Sequence, residues 1–122
     1  MKRDLENFGV LITGGGTGIG KACAAEMYSH GALVTICGRT EENLKQSVQE
    51  IVENHQDGGV IQYVTCDVTE EEQVLETVLA ADEFGEGLDG VVANAGGGGA
   101  IVPYHMQKAE EFSRVLNLNV LG

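Results

Sequence analysis

The stretch Val10-Leu11-Ile12-Thr13-Gly14-Gly15-Gly16-Thr17-Gly18-Ile19-Gly20-Lys21 constrains the fold more than any other part of the chain. An apolar run of buried-strand type ends in a glycine turn, and a helix-compatible segment from Lys21 to His30 follows at once. Glycines at 14, 18 and 20 let the backbone turn tightly and approach a ligand with no Cβ in the way. The first amides of the next helix then point over the turn, an arrangement that suits an anion such as phosphate or pyrophosphate.

The same strand-then-helix unit recurs along the chain. Phe8–Thr13 and Ala32–Cys37 read as buried strands, the second mostly β-branched, and Val60–Cys66 and Leu88–Ala93 read as a third and a fourth strand. Between the first two, the small residues Ala22, Ala24 and Ala25 with Met27 allow close packing on a sheet, and Gly31 stops the helix. Thr40 is placed to cap a helix running to about His55, with Leu44, Val48, Ile51 and Val52 as one apolar stripe. Thr69-Glu70-Glu71-Glu72 matches a capping box, opening a helix to about Phe84 that buries Val74, Val78 and Ala81. Asn94–Gly99 is a glycine-rich loop, and a last helix starts near Gln107 with Phe112, Val115 and Leu116 inward.

Strands joined by helical crossovers form a parallel sheet with helices on both faces. Right-handed crossovers make this an α/β, doubly wound sheet with strand order 3-2-1-4. Its fourth strand lies at an edge where a larger sheet would continue. The 122 residues amount to one domain.

Composition removes several function classes. A formal net charge of −12 disfavours nucleic acid and anionic membrane surfaces as partners. The acids concentrate on the two predicted middle helices, as solvated faces. Cys23, Cys37 and Cys66 lack metal-ligand spacing, and Cys37 and Cys66 lie in apolar runs, so they read as buried free thiols in a reducing compartment. No metal site is expected. The polar N-terminus and the absence of a long apolar run make the cytoplasm the expected location.

Three phosphate-binding patterns compete for the glycine turn. G-x-G-x-x-G fails, because Ile19 or Lys21 occupies the third glycine's place. The phosphate-loop pattern nearly fits from Gly15 to Lys21, but Ala22 replaces the hydroxyl that holds magnesium; Asp67 could act as the acidic magnesium partner. G-x-x-x-G-x-G fits Gly14, Gly18 and Gly20.

Distant segments agree with that third pattern. Thr13–Gly20, Cys66-Asp67-Val68, Asn94-Ala95-Gly96 and Asn119-Val120-Leu121-Gly122 stand in order and together resemble the classical short-chain dehydrogenase/reductase family over residues 8–122. The resemblance implies a Rossmann domain binding a nicotinamide dinucleotide. In it Gly14, Thr17, Gly18, Ile19 and Gly20 would hold the pyrophosphate, while Asp67 and Val68 frame the adenine. Asn94, Ala95 and Gly96 would support the central sheet and lie along the cofactor. Asp89 matches the acid before the family's fourth strand, and Asn119 matches the asparagine of its Asn-Ser-Tyr-Lys tetrad, which positions a water in a proton relay.

The end of the second strand bears on cofactor choice. NAD sites place an acid about 20 residues past the turn, on the ribose 2′-hydroxyl. Here Gly38 stands in that place and Arg39 follows. A guanidinium pairs with a 2′-phosphate, whereas an acid would repel it, so NADP(H) is expected over NAD(H). Thr17 stands where NADP-preferring relatives often carry a second basic residue.

The family's catalytic serine and Tyr-x-x-x-Lys should follow Asn119, beyond Gly122. Tyr104 and Lys108 spell the same pattern but precede Asn119, with Val91 in the serine's relative place, and are read as a chance match. The expectation is therefore the dinucleotide-binding part of an NADP(H)-dependent oxidoreductase, truncated before its catalytic segment and inactive alone. The resemblance implies hydride transfer to or from a carbonyl/alcohol or enoyl small molecule, and a homo-oligomer at full length. A stand-alone nucleotide-binding or regulatory module and a phosphate-loop NTPase are the alternatives.

Overall fold

The computed structural model describes residues 5–14, 16, 18–67, 70–85, 87–93 and 100–103. Three units of strand and helix run in sequence: β1 (Gly9–Thr13), α1 (Gly18–Ser29), β2 (Leu33–Gly38), α2 (Glu41–Asn54), β3 (Val60–Thr65) and α3 (Glu71–Phe84). Two strands follow, β4 (Gly90–Ala93) and β5 (Ala100–Pro103). The sheet order is β3-β2-β1-β4-β5, with β1 to β4 all parallel. The parallel part has the expected order 3-2-1-4 and doubly wound plan.

Strand alternation sorts the apolar residues to two faces. On one face Leu11, Val91, Cys37 and Cys66 pack with Val74, Val78 and Ala81 of α3. On the other, Val10, Ile12, Val34, Ile36 and Val92 pack with Ala24 and Tyr28 of α1 and Leu44 and Ile51 of α2. The sheet therefore carries α1 and α2 on one side and α3 on the other. The two apolar layers are separated only by the β-ladder, so β1 is buried along its whole length.

The strand β5 was not expected. It pairs antiparallel with β4, Val91 opposite Val102 and Val92 opposite Ile101. Only the six residues 94–99 separate the two strands, fewer than the dozen or so that a parallel crossover needs, so the chain must reverse direction. Pro103 is compatible with that position because β5 is an edge strand.

Two helix details also differ from expectation. Thr40 is the N-cap of α2, but its side chain makes no capping hydrogen bond. The N-cap of α3 is Glu70, and Thr69 lies outside the described residues. A turn in which the Glu70 amide donates to the Asp67 carbonyl (3.0 Å), with Gln73 Oε1 accepting from the Asp67 amide (2.8 Å), precedes the helix and moves its start. The expected helix from Gln107 lies outside the described residues.

Across the sheet, the Asp89 carboxylate matters more than its place on a loop suggests. Its Oδ2 accepts the Gly9 amide at 2.8 Å, while its own amide donates to the Gly9 carbonyl at 2.8 Å. This two-way clasp joins the start of β1 to the approach of β4. A Cβ on Gly9 would lie 2.4 Å from the Gly87 carbonyl oxygen, so the close approach there depends on glycine.

Candidate functional site

The carboxyl ends of the parallel strands lie side by side. Thr13 is in register with Cys37, Cys37 with Val64, and Gly38 with Thr65. The segments leaving these ends are the glycine turn, Gly38-Arg39 and Cys66-Asp67. The chain runs from β1 to β2 in one direction while β4 lies on the other side of β1. The glycine turn therefore sits where the strand order reverses, the place where open α/β sheets bind ligands.

Within the turn, Gly14 has φ 65° and Gly18 has φ 56°, both left-handed. The helix α1 begins at Gly18, three residues earlier than its apolar pattern suggested. Its first turn contains no acidic residue. The other two helices behave oppositely: α2 starts with Glu41 and Glu42, α3 with Glu71 and Glu72. Among the described helices of this chain of net charge −12, only α1 keeps the positive dipole end of its N-terminus uncompensated by its own side chains. Ile19, in that first turn, is 65% exposed, and Gly20 is buried.

The helix α2 braces this turn. Ser47 donates its hydroxyl to the Gly16 carbonyl at 2.8 Å. Leu44 Cδ2 would lie 3.5 Å from a Cβ on Gly16 and 3.4 Å from one on Gly38. One methyl group thus supports both the glycine turn and the end of β2, placing the two glycines side by side. Ser47 was missed in the sequence because the apolar stripe was drawn through Val52. That valine is 42% exposed, whereas Ser47 is 2% exposed. A serine one turn after Leu44, on a helix that must cover a glycine backbone, was the available signal.

On the floor of the site, Thr13 Oγ1 donates to the Val92 carbonyl at 3.4 Å, linking β1 to β4 next to the turn. Arg39 is exposed and Asp67 is partly buried. Gly14, Gly18, Ile19, Gly20, Arg39 and Asp67 are therefore gathered at one edge of the sheet. Thr17, Val68, Asn94, Ala95, Gly96 and Asn119 lie outside the described residues, as do Tyr104 and Lys108.

Lys21 does not behave as a phosphate-loop lysine. Its ammonium is ion-paired with Glu50 of α2, and this hydrogen bond and charge hold the Glu50 carboxyl below its usual range.

The family model for the short chain dehydrogenases matches residues 9–122. The chain belongs to that family. Levodione reductase of Leifsonia aquatica is a short-chain dehydrogenase relative 36% identical over 113 residues, 93% of this chain and 42% of that protein. The solved short-chain type dehydrogenase/reductase from Mycobacterium ulcerans superposes with a TM-score of 0.74 at 38% identity, over 96% of this chain and 42% of that one. An NADPH-bound short-chain oxidoreductase from Pseudomonas aeruginosa PAO1 superposes with a TM-score of 0.59 at 26% identity, over 66% of this chain and 31% of that one. The chain spans less than half the length of these relatives. Among the described residues, no helix is long and apolar enough to cross a membrane.

The turn itself gives a contrast that can be measured. Gly18→Ala should cost about 1–2 kcal/mol in urea denaturation, because a Cβ is strained in the left-handed region even where space is open. Gly16→Ala meets only ordinary contacts at 3.5 Å and should stay within about 0.5 kcal/mol of the parent. Equal losses for the two would contradict the turn geometry.

Proposed function

We propose that this chain is the dinucleotide-binding part of an NADP(H)-dependent short-chain oxidoreductase. Gly14, Thr17, Gly18, Ile19 and Gly20 receive the pyrophosphate, and Arg39 pairs with the 2′-phosphate. Asp67 and Val68 frame the adenine, while Asn94, Ala95 and Gly96 lie along the cofactor. Asn119 takes part in the proton relay, and the family's serine and Tyr-x-x-x-Lys belong to sequence beyond residue 122. The bound nicotinamide supplies or accepts hydride, with a carbonyl/alcohol or enoyl small molecule as substrate and a homo-oligomer as the working form. The setting we propose is the cytoplasm.

The observation that carries this reading is the pairing of the glycine turn with Gly38 over one leucine. That adjacency brings the anion-binding start of α1 and the arginine after β2 to a single rim. A pyrophosphate and a 2′-phosphate belong to one molecule, and such a rim meets both ends. The family match and the NADPH-bound relative support it further.

Fluorescence titrations with NADPH, NADH and ATP test the assignment. NADPH should bind most tightly. Arg39→Leu should weaken NADPH by about 10–100-fold, the scale of one charge-assisted hydrogen-bond pair, while leaving NADH nearly unchanged. Magnesium-dependent ATP binding without an NADPH response would overturn the reading.

A further inference from the structure

Two thiols lie beneath this rim and have no part in the function just described. Cys37, near the end of β2, and Cys66, the first residue beyond β3, are each 1% exposed and belong to the same buried cluster. Cys37 is in register with Val64, and Cys66 is two residues further along, so the strand period puts both on the α3 face. The Cys66 amide donates to the Gly38 carbonyl at 2.7 Å, which ties the two strand ends together beside the thiols. Both are free, and Cys23 lies apart from them, packed against the opposite face.

We propose that Cys37 and Cys66 are a reversible oxidation site, closing to a disulfide that joins the ends of β2 and β3 and weakens dinucleotide binding. The first half of this proposal rests on the thiol pair alone. The second rests on the dinucleotide reading, because Gly38-Arg39 and Asp67 are the immediate neighbours of the two cysteines.

The geometry favours a bond that can be made and broken. Cys66 stands one diagonal step from Cys37 across the parallel β2–β3 ladder, and a disulfide requires Cα atoms within about 4.4–6.8 Å. Closure therefore draws the two strand ends together. The backbone there can yield, since Cys66 has left the strand and its neighbours Thr65 and Asp67 are not buried. A bond formed against a backbone shift is easily reduced, as regulatory disulfides are. The shift acts directly on the Cys66-Asp67 segment, and so on the adenosine end of the site.

The chemistry assigns different roles to the two sulfurs. The hydrogen bond from Cys37, helped by the Thr77 hydroxyl, brings the Cys66 thiol down to about 7 against burial and the charges of Asp67 and Glu76. The same hydrogen bond and burial push the Cys37 thiol up. Cys66 also lies just past β3, between the unburied Thr65 and Asp67, whereas Cys37 lies within β2, so Cys66 is assigned as the nucleophile. With a peroxide as oxidant, the Cys66 thiolate attacks one oxygen, the O–O bond breaks, and hydroxide leaves. Cys37 then attacks the sulfenic sulfur, the S–O bond breaks, and the Cys37 proton and the departing hydroxide form water. Two thiols lose two electrons in all, and one peroxide becomes two waters. A dithiol reductant reverses the step.

The test is hydrogen peroxide treatment of the purified protein in a Cys23→Ser background, followed by intact mass, peptide mapping and NADPH titration. The expected product has lost two hydrogens, carries a Cys37–Cys66 cross-link, and reverts with dithiothreitol. Its NADPH affinity should fall about tenfold, within the ordinary scale of coupling between two sites. Cys37→Ala should instead give no cross-link, and its NADPH affinity should not change on brief oxidation. Unchanged thiols, or oxidation to sulfinic acid without a cross-link, overturns the disulfide. A cross-link that leaves NADPH affinity intact overturns the coupling. Failure of the reduced protein to bind NADPH overturns the dinucleotide reading and the coupling with it, while the mass result decides the disulfide independently.

Discussion

Leu11→Ala should destabilise the protein by about 3–4 kcal/mol, in the middle of the range for truncation of a buried leucine. Leu11 is fully buried at the middle of β1, in a cluster with Val74, Val78, Ala81 and Val91. Its strand is held by ladders on both edges, Leu11 lying opposite Thr35 on one side and Val91 on the other. Neither backbone can move in to fill the space, so most of the cavity remains. Domains are stable by only about 5–15 kcal/mol in total, so a large part of the margin goes with this one side chain. Urea denaturation followed by circular dichroism would measure it. Val60→Ala, at a site 50% exposed on the outer strand, is the control and should shift stability by no more than about 0.5 kcal/mol. A Leu11→Ala loss under about 1 kcal/mol would contradict the packing of α3 on the sheet.

Gly38→Asp should reverse the proposed preference for NADP(H) over NAD(H). The added Cβ would lie 3.4 Å from Leu44 Cδ2 and 3.9 Å from Leu44 Cγ, ordinary contact distances, so the fold can accept it. A carboxylate there can accept from the ribose 2′-hydroxyl of NAD(H) but faces a 2′-phosphate as a like charge. Like-charge juxtaposition costs several kcal/mol, so NADPH affinity should fall by about 100-fold or more. NADH affinity should rise by about tenfold, the scale of one hydrogen bond to a charged group. Titration of both nucleotides against the parent and the variant gives the answer. A variant that still prefers NADPH would show that the 2′-position is read elsewhere.

How much of this could be read in the sequence depended on whether a feature is local. Leu11, Ile36 and Val91 stand in short, wholly apolar runs separated by helix-length segments, which was enough to place four parallel strands and their order. The register of β2 against β3 is a property of the assembled sheet. The sequence therefore marked Cys37 and Cys66 as buried free thiols but not as neighbours on one face. β5 escaped for a related reason: Ala100-Ile101-Val102 becomes a strand by pairing with the free edge of β4, a partner that local pattern does not contain. On α2, apolar periodicity selected Val52, but the helix turns Ser47 inward because the surface beneath it includes a glycine backbone with a carbonyl to satisfy. At the glycine turn, spacing excluded G-x-G-x-x-G but left a near-match to the phosphate loop beside G-x-x-x-G-x-G. Agreement with distant segments separated them, and the ion pair of Lys21 with Glu50 is a further argument against the phosphate loop.

The clasp between Gly9 and Asp89 has a consequence in time. Its partners are 80 residues apart in the chain, and the pairing of β1 with β4 spans a similar separation. As the chain emerges during synthesis, β1 can find β2 early, but its other edge waits until β4 has been made. Contacts of such long sequence separation form slowly. The crevice between β1 and β4 is therefore among the last parts of the sheet to exist, although the glycine turn beside it is among the first to be synthesised.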